Sequence, residues 1–114
     1  MPAGRDVVID AGRNTGGLPT RIPQTMVLVT APCYLALRRA LRGPTPDMIV
    51  VRREPGRSLD SLDVATVLGL EPWHVIEIDQ DPAIARAVDA GLLVEKVKSS
   101  RQFAKLDQLA EVPA

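Results

Sequence analysis

This 114-residue sequence has few aromatic residues, a single cysteine and no excess of either charge. The single Cys33 excludes an internal disulfide, and with only one His it leaves too few ligands for a His/Cys zinc site within one chain. Fourteen basic and fourteen acidic side chains cancel, so the composition gives no direct indication of a nucleic-acid-binding surface. A net charge near zero also gives little protection against self-association.

Long apolar runs are missing as well. No stretch approaches the roughly 20 apolar residues that span a bilayer, so no transmembrane segment is expected. The first residues, Met1–Asp6, lack the apolar core of a signal peptide. These features predict a soluble, cytoplasmic protein, and the length predicts a single α/β domain over residues 1–114.

With so few aromatic residues, the hydrophobic core must be built from aliphatic side chains. Four short runs rich in Val and Ile are bounded by Gly, Pro or charged residues, a pattern typical of β-strands. They are Asp6–Asp10, Thr25–Thr30, Asp47–Arg52 and His74–Asp79. The first three predict buried strands, whereas the fourth alternates apolar and acidic residues and predicts a half-exposed or edge strand.

Helical periodicity fills the intervals between these runs. The predicted helices are Cys33–Arg42, Ser58–Gly69, a third that begins at Asp81-Pro82 and ends at Gly91, and Ser99–Ala110. Alternating strands and helices favour right-handed crossovers. The sequence therefore predicts a small open, mainly parallel sheet of about four strands flanked by helices, a Rossmann-like three-layer arrangement.

Asp10 ends the first predicted strand. Ligands of open parallel sheets bind at the carboxyl edge, so this carboxylate could position Mg²⁺ or water there. It could equally cap the turn that follows. The glycine-rich loop 11–17 could cradle an anion, but the prolines that follow it make a helix behind it unfavourable, and a flexible connection is the preferred interpretation.

Two groups of arginines stand at different places in the predicted fold. Arg38, Arg39 and Arg42 share a helix and are interpreted as its solvated face. A second group, Arg52, Arg53 and Arg57, follows the third predicted strand and so lies at the carboxyl edge, where an anionic ligand or nucleotide would sit. Glu77, Asp79 and Asp81 make the end of the fourth strand acidic, with Asp81 also explained as a helix cap.

Several segments taken in order resemble the C-terminal half of MinD/ParA-type P-loop ATPases. "DVVIDAG" at 6–12 is similar to the Walker B strand and switch loop, and "TMVLVTAPCYLALRRALR" at 25–42 to the strand and helix that follow. "MIVVRR" places Arg52 and Arg53 where the family has an Asn-Arg pair against adenine. "IDQDPAIARAVDAG" at 78–91 is similar to the family's Ile-Pro-x-Asp segment, with Asp81 matching its aspartate.

The resemblance covers about residues 6–95, and one departure dominates it. Neither G-x-x-x-x-G-K-[ST] nor its two-lysine form occurs in the sequence, so the β- and γ-phosphates lose their cradle. The strand that carries this motif in the family lies between the Walker B strand and the next one. Its absence leads us to expect that residues 6–10 and 25–30 pair directly, or that a second chain supplies the missing strand.

The resemblance implies a non-catalytic or split MinD/ParA-like module that acts through partner binding in partitioning, septum-site or secretion-machinery processes. Independent ATP hydrolysis is not expected, no cofactor binds the chain alone, and no metal site is predicted. If a P-loop-bearing partner completes the site, Mg-ATP becomes possible, with Asp10 on the Mg²⁺ and water side and Arg52, Arg53 and Asp81 lining the base pocket. The alternative is a free-standing α/β module that binds an anionic ligand or acidic partner surface through Arg52, Arg53 and Arg57.

Overall fold

Three parallel strands form the sheet in the computed structural model, which describes residues 7–12 and 24–111. They are β1 (Val27–Thr30), β2 (Met48–Arg53) and β3 (Val75–Asp79), and their order in the sheet is β1-β2-β3. β2 pairs with both neighbours, with Val29 opposite Val50 and Arg53 opposite Asp79. Within the described residues, β1 and β3 are therefore the two edges.

The connections between the strands are helical. The helices are α1 (Tyr34–Ala40), α2 (Ser61–Leu68), α3 (Pro82–Asp89), α4 (Leu93–Ser99) and α5 (Arg101–Ala104), with 3₁₀ segments at Pro72–His74 and Lys105–Glu111. Asp60 caps α2, and Gly69 ends it at a φ of +71°. None of the helices formed by the described residues is long and apolar enough to cross a membrane.

One face of the sheet packs against α1 and α2. Ile49 and Val51 of β2 are fully buried there, between Leu37 of α1 and Val64 of α2. Two successive right-handed crossovers that proceed in the same direction place both helices on the same side of a sheet. The shared core of α1 and α2 agrees with that rule.

The opposite face packs against the C-terminal 3₁₀ segment. Met48, Val50 and Ile76 are at most 3 % exposed on this side, and Leu106 and Leu109 cover them. Helical segments on both faces give the three layers that the sequence predicts, and the α/β fold class is confirmed.

The first predicted strand is wrong for the residues that the structure describes. Residues 7–10 form no strand and do not pair with β1, and Val7, Val8 and Ile9 are 61–93 % exposed. A β-branched sequence favours a strand only when neighbouring strands and a core are there to receive it. Asp6 and most of the irregular stretch 13–24 lie outside the described residues.

Two further expectations need correction. Among the described strands β1 lies at an edge rather than being buried throughout, and Val29 is 67 % exposed although Thr30 is buried. The helix predicted at Ser99–Ala110 begins only at Arg101, because Ser100 has an extended backbone (ψ 127°) that separates α4 from α5, and from Lys105 it continues as a 3₁₀ segment. The additional helix, α4, was not predicted; none of its residues is buried, so no apolar periodicity directed at a core marks it.

Candidate pocket at the carboxyl edge of the sheet

Arg53 ends β2 at the carboxyl edge and is the centre of an ion-pair cluster. Because the strands are parallel and in register, Arg53 lies opposite Asp79 and shares a face with Glu77. Its Nη1 atom is 4.0 Å from Oε2 of Glu77 and 3.6 Å from Oδ1 of Asp79. The guanidinium is 61 % exposed but is already paired with two carboxylates.

A tight turn places a second ion pair beside the first. In Glu54-Pro55-Gly56-Arg57 the proline and a φ of +80° at Gly56 are the pattern of a type II turn. The turn brings Nε and Nη2 of Arg57 to 2.9 and 2.8 Å from Oε2 of Glu54. This pairing raises the pKa of Arg57. Nη2 of Arg52 lies 3.6 Å from the other carboxylate oxygen of Glu54.

The two ion pairs border a shallow pocket of about 200 Å³. Two basic and three acidic side chains contribute to its wall, so its formal charge is slightly negative. The lining residues are Pro32, Val51, Arg53, Glu54, Pro55, Gly56, Arg57, Ser58, Leu59, Asp60 and Glu77. Every charge of the wall comes from the carboxyl edge of the sheet or from the loop that enters α2.

The residues expected to act together do not all meet at this pocket. Arg53 lines it, whereas Arg52 and Asp81 are not among its lining residues. Oδ1 of Asp81 accepts a hydrogen bond of 2.9 Å from the backbone N–H of Ala83 and so serves as the cap of α3. The carboxylate expected at the Mg²⁺ position, Asp10, accepts one from the N–H of Gly12 at 2.9 Å in an exposed turn. This is the turn-capping role left open by the sequence.

Sequence reasoning missed Glu54 as the residue that holds two of the arginines. A signal was present, because a carboxylate and an arginine that flank Pro-Gly at three residues' separation meet across a tight turn. Glu77 and Asp79 were recognised as acidic, but their partner Arg53 depends on strand register, which adjacent positions in the sequence do not reveal.

Cys33 and His74 both have local structural surroundings. Cys33 immediately precedes α1, where the backbone N–H of Ala36, and then that of Leu35, lowers the pKa of the thiol, although no capping hydrogen bond to the sulfur forms. Nδ1 of His74 accepts a hydrogen bond of 3.1 Å from the backbone N–H of Glu71, and the ring stacks on Trp73. Among the residues described, no group of three or more His, Cys, Asp or Glu side chains could hold a metal ion.

The fold and the pocket together define a small α/β protein with an open, parallel, Rossmann-like sheet. No protein-family model, curated protein or solved structure matches the chain. The site must therefore be interpreted from its own chemistry.

Proposed function

We propose that the chain is a non-catalytic α/β module that acts by binding a protein partner. This is the function implied by its resemblance to the C-terminal half of MinD/ParA-like ATPases. In such a system the partner is a separate polypeptide that carries the P-loop, and the processes are of partitioning, septum-site or secretion-machinery type.

The open edge of β1 is the observation that carries the proposal. No strand of the described residues pairs with the outer side of β1, and Val29 is 67 % exposed. Natural edge strands are usually protected by lysine, proline, a bulge or an inward-pointing charge. The sequence from Gln24 to Leu37 contains no charged residue, and β1 itself contains no proline. A strand added from a partner would complete the hydrogen-bond ladder and cover Val29.

The pocket supports a binding role better than a catalytic one. A triphosphate needs unpaired cations and a cradle of backbone N–H groups. Arg53 and Arg57 are each within 4.0 Å of a carboxylate, and three carboxylates face these two cations in the wall. The residues present do not fit Mg-ATP by themselves, so the proposal assigns nucleotide binding only to a complex with a P-loop-bearing partner.

The alternative function, binding of an anionic ligand or acidic surface, has one observation in its favour. The side chains of Arg52 and Arg53 are each 61 % exposed at the edge where open α/β sheets bind ligands. A ligand would have to displace Glu54, Glu77 and Asp79 from their ion pairs with the arginines. This competition makes the alternative less well supported.

Calorimetry separates the two functions. Titration of the purified chain with Mg-ATP is expected to give no binding tighter than about 100 µM, which corresponds to roughly −5.5 kcal/mol. The same experiment with inorganic phosphate and with a polyglutamate peptide tests the alternative. Binding of either anion that disappears in Arg53→Gln would favour the alternative over the partner-binding proposal.

The partner itself is sought with a matched pair of variants. Affinity purification from the source organism would use the wild-type chain, Val29→Lys on β1 and Val67→Lys, an exposed position on α2. We expect a P-loop-bearing protein to be retained by wild type and Val67→Lys but lost with Val29→Lys. The purified complex should then bind Mg-ATP. Retention that is insensitive to Val29→Lys would show that β1 is not the partner-binding element.

A further inference from the structure

The exposed face of α1 and of the turn that ends it carries three arginines, Arg38, Arg39 and Arg42. They lie three, four and seven residues after Leu35, so they share one side of the helix with it. All four side chains are exposed, and they line one shallow depression of about 200 Å³. We refer to these four residues as the α1 arginine face.

The charge of this depression is positive throughout. In the described part of the chain its wall is made by three arginines and one leucine, with no acidic residue. None of the ion pairs found within residues 7–12 and 24–111 includes a residue of the α1 arginine face. The sequence contains no acidic residue between Asp10 and Asp47, and Oδ2 of Asp47 accepts a hydrogen bond of 2.7 Å from the N–H of Met26. The three cations therefore meet without a paired carboxylate from these residues.

This grouping of like charges is unfavourable for the chain on its own. Arg42 follows Arg38 by four residues and Arg39 by three, and cations at these spacings repel each other on a helix surface. The dipole of α1 compensates in part, because two of the arginines lie in its last turn. The guanidinium carbon of Arg38 also lies 5.6 Å from the centre of the Tyr34 ring. An anion bound between the guanidinium groups would reduce the repulsion further.

We infer that the α1 arginine face binds a phosphate group carried by a side chain of a protein partner. A phosphorylated side chain has a charge of about −1.5 to −2 at pH 7 and three strong acceptor oxygens. Guanidinium groups bind such oxygens with pairs of parallel N–H donors, and arginine clusters recognise phosphorylated segments in this way. Leu35 in the wall offers an apolar contact to the peptide around the phosphate.

Size and composition select this ligand over three others. A single carboxylate has two oxygens and one charge, so it would leave most of the guanidinium donors unused. Nucleic acids gain affinity from several phosphates along an extended cationic surface, whereas the row from Leu35 to Arg42 spans only about 10 Å of helix. A helix that lies on a membrane inserts its apolar face into the lipid, but Leu37 of α1 is buried in the core of the protein.

The test uses the full chain and a fluorescent pool of short peptides of random sequence. Each peptide has phosphoserine, phosphothreonine or phosphotyrosine at its centre, and two control pools have the unphosphorylated residues or glutamate there. By fluorescence anisotropy, we expect both control pools to bind at least about tenfold more weakly than the phosphorylated pool. The difference should shrink at high salt. No binding of the phosphorylated pool, or equal binding of the phosphorylated and glutamate pools, would overturn the inference.

Arginine variants locate the binding. Arg39→Gln should weaken the phosphorylated pool about tenfold, and Arg39→Lys about threefold, because lysine keeps the charge but loses the paired donors. Arg86→Gln, at an exposed position of α3, is the matched control and should change binding less than about twofold. Thermal unfolding should show Arg39→Gln to be at least as stable as wild type, because it removes a repelling charge. Equal effects of Arg39→Gln and Arg86→Gln on binding would refute the assignment of the site.

Other ligands and other sites are outcomes of the same design. An oligonucleotide or phosphatidylglycerol vesicles that bind more tightly than the phosphorylated pool, with binding lost in Arg39→Gln, would identify nucleic acid or a membrane and overturn the inference. Loss of peptide binding in Arg53→Gln but not in Arg39→Gln would place the phosphate in the carboxyl-edge pocket and would also overturn it. The β1 proposal is tested separately, because Val29 shares a strand face with Val27, on the side of the sheet opposite α1. Val29→Lys is therefore expected to leave phosphopeptide binding unchanged.

Discussion

Arg53 and Asp79 lie directly opposite each other on β2 and β3, and the 3.6 Å between Nη1 and Oδ1 joins the ends of the two strands. Arg53 is one of the two arginines of the pocket wall, and this ion pair, together with Glu77, occupies its guanidinium. What the pocket can bind therefore depends first on how strongly these charges hold one another.

Removal of the Arg53 charge should alter stability very little. The side chains of Arg53 and Asp79 are 61 and 49 % exposed, and solvent screens such pairs. We expect Arg53→Gln to change the free energy of unfolding by less than about 0.5 kcal/mol. Urea denaturation at low and at 1 M salt is the measurement. A loss well above 1 kcal/mol that persists at 1 M salt would contradict this description of an exposed pair.

The centre of β2 should be far more sensitive. Ile49 is fully buried between α1 and α2, and Ile49→Ala leaves a cavity that the surrounding helices fill only in part. We expect a loss of about 2–5 kcal/mol, comparable with the whole stability of a small domain. Val29→Ala, at the exposed position of β1, is the control and should cost less than about 0.5 kcal/mol. Circular dichroism during urea unfolding measures both.

Variants of Asp81 test whether its carboxylate caps α3 or serves only to bind a ligand. Its Oδ1 accepts from the N–H of Ala83, so Asp81→Ala should destabilise the fold by about 1 kcal/mol. Asp81→Asn preserves a capping oxygen and should be close to neutral. Thermal unfolding of the three proteins distinguishes the roles, because a carboxylate kept only for ligand binding would leave both variants as stable as wild type.

Part of the loss of folding stability at low pH should come from the Asp60 carboxyl at the start of α2. The backbone N–H of Asp63 donates to Asp60, which lowers the pKa of the Asp60 carboxyl. A depressed carboxyl pKa stabilises the fold above the unfolded value near pH 4, and that contribution is lost as the pH falls through the lower folded value.

Asp60→Asn retains an oxygen that can cap α2 but removes the ionisable carboxyl group. We expect wild type and Asp60→Asn to have similar stability at pH 7, and the variant to lose less stability between pH 5 and pH 2. Denaturation series across that range measure the difference. Parallel pH profiles would show that Asp60 makes no contribution to acid sensitivity.

The parts of the fold marked by local chemistry could be predicted from the sequence. Proline at the first position of α3 after the Asp81 cap, and Gly69 after α2, fix helix ends through backbone geometry alone. The aliphatic run of β2 indicated a strand buried on both faces, and Met48–Val51 are at most 3 % exposed.

Features that depend on distant partners could not be predicted in this way. Residues 7–10 have the composition of a strand, but a strand also needs backbone hydrogen bonds to a neighbouring strand. Which strands become neighbours depends on the tertiary fold. The pairing of Arg53 with Asp79 likewise depends on register. Ser100, whose extended backbone separates α4 from α5, has a buried hydroxyl with no hydrogen-bond partner among the described atoms. No local sequence signal marks this break.

The strands occur in the sheet in the same order as in the chain, and this has a consequence for biosynthesis. Each pairing joins two strands that are consecutive in sequence, so β1 and β2 can associate with α1 while β3 is still being translated. The face of β2 opposite α1 is covered only after Leu106 and Leu109, which follow all three strands, have been translated. A nascent chain thus exposes an aliphatic surface of β2 until Leu106 and Leu109 have been translated, and exposed apolar surface of this kind makes partly folded chains prone to aggregation.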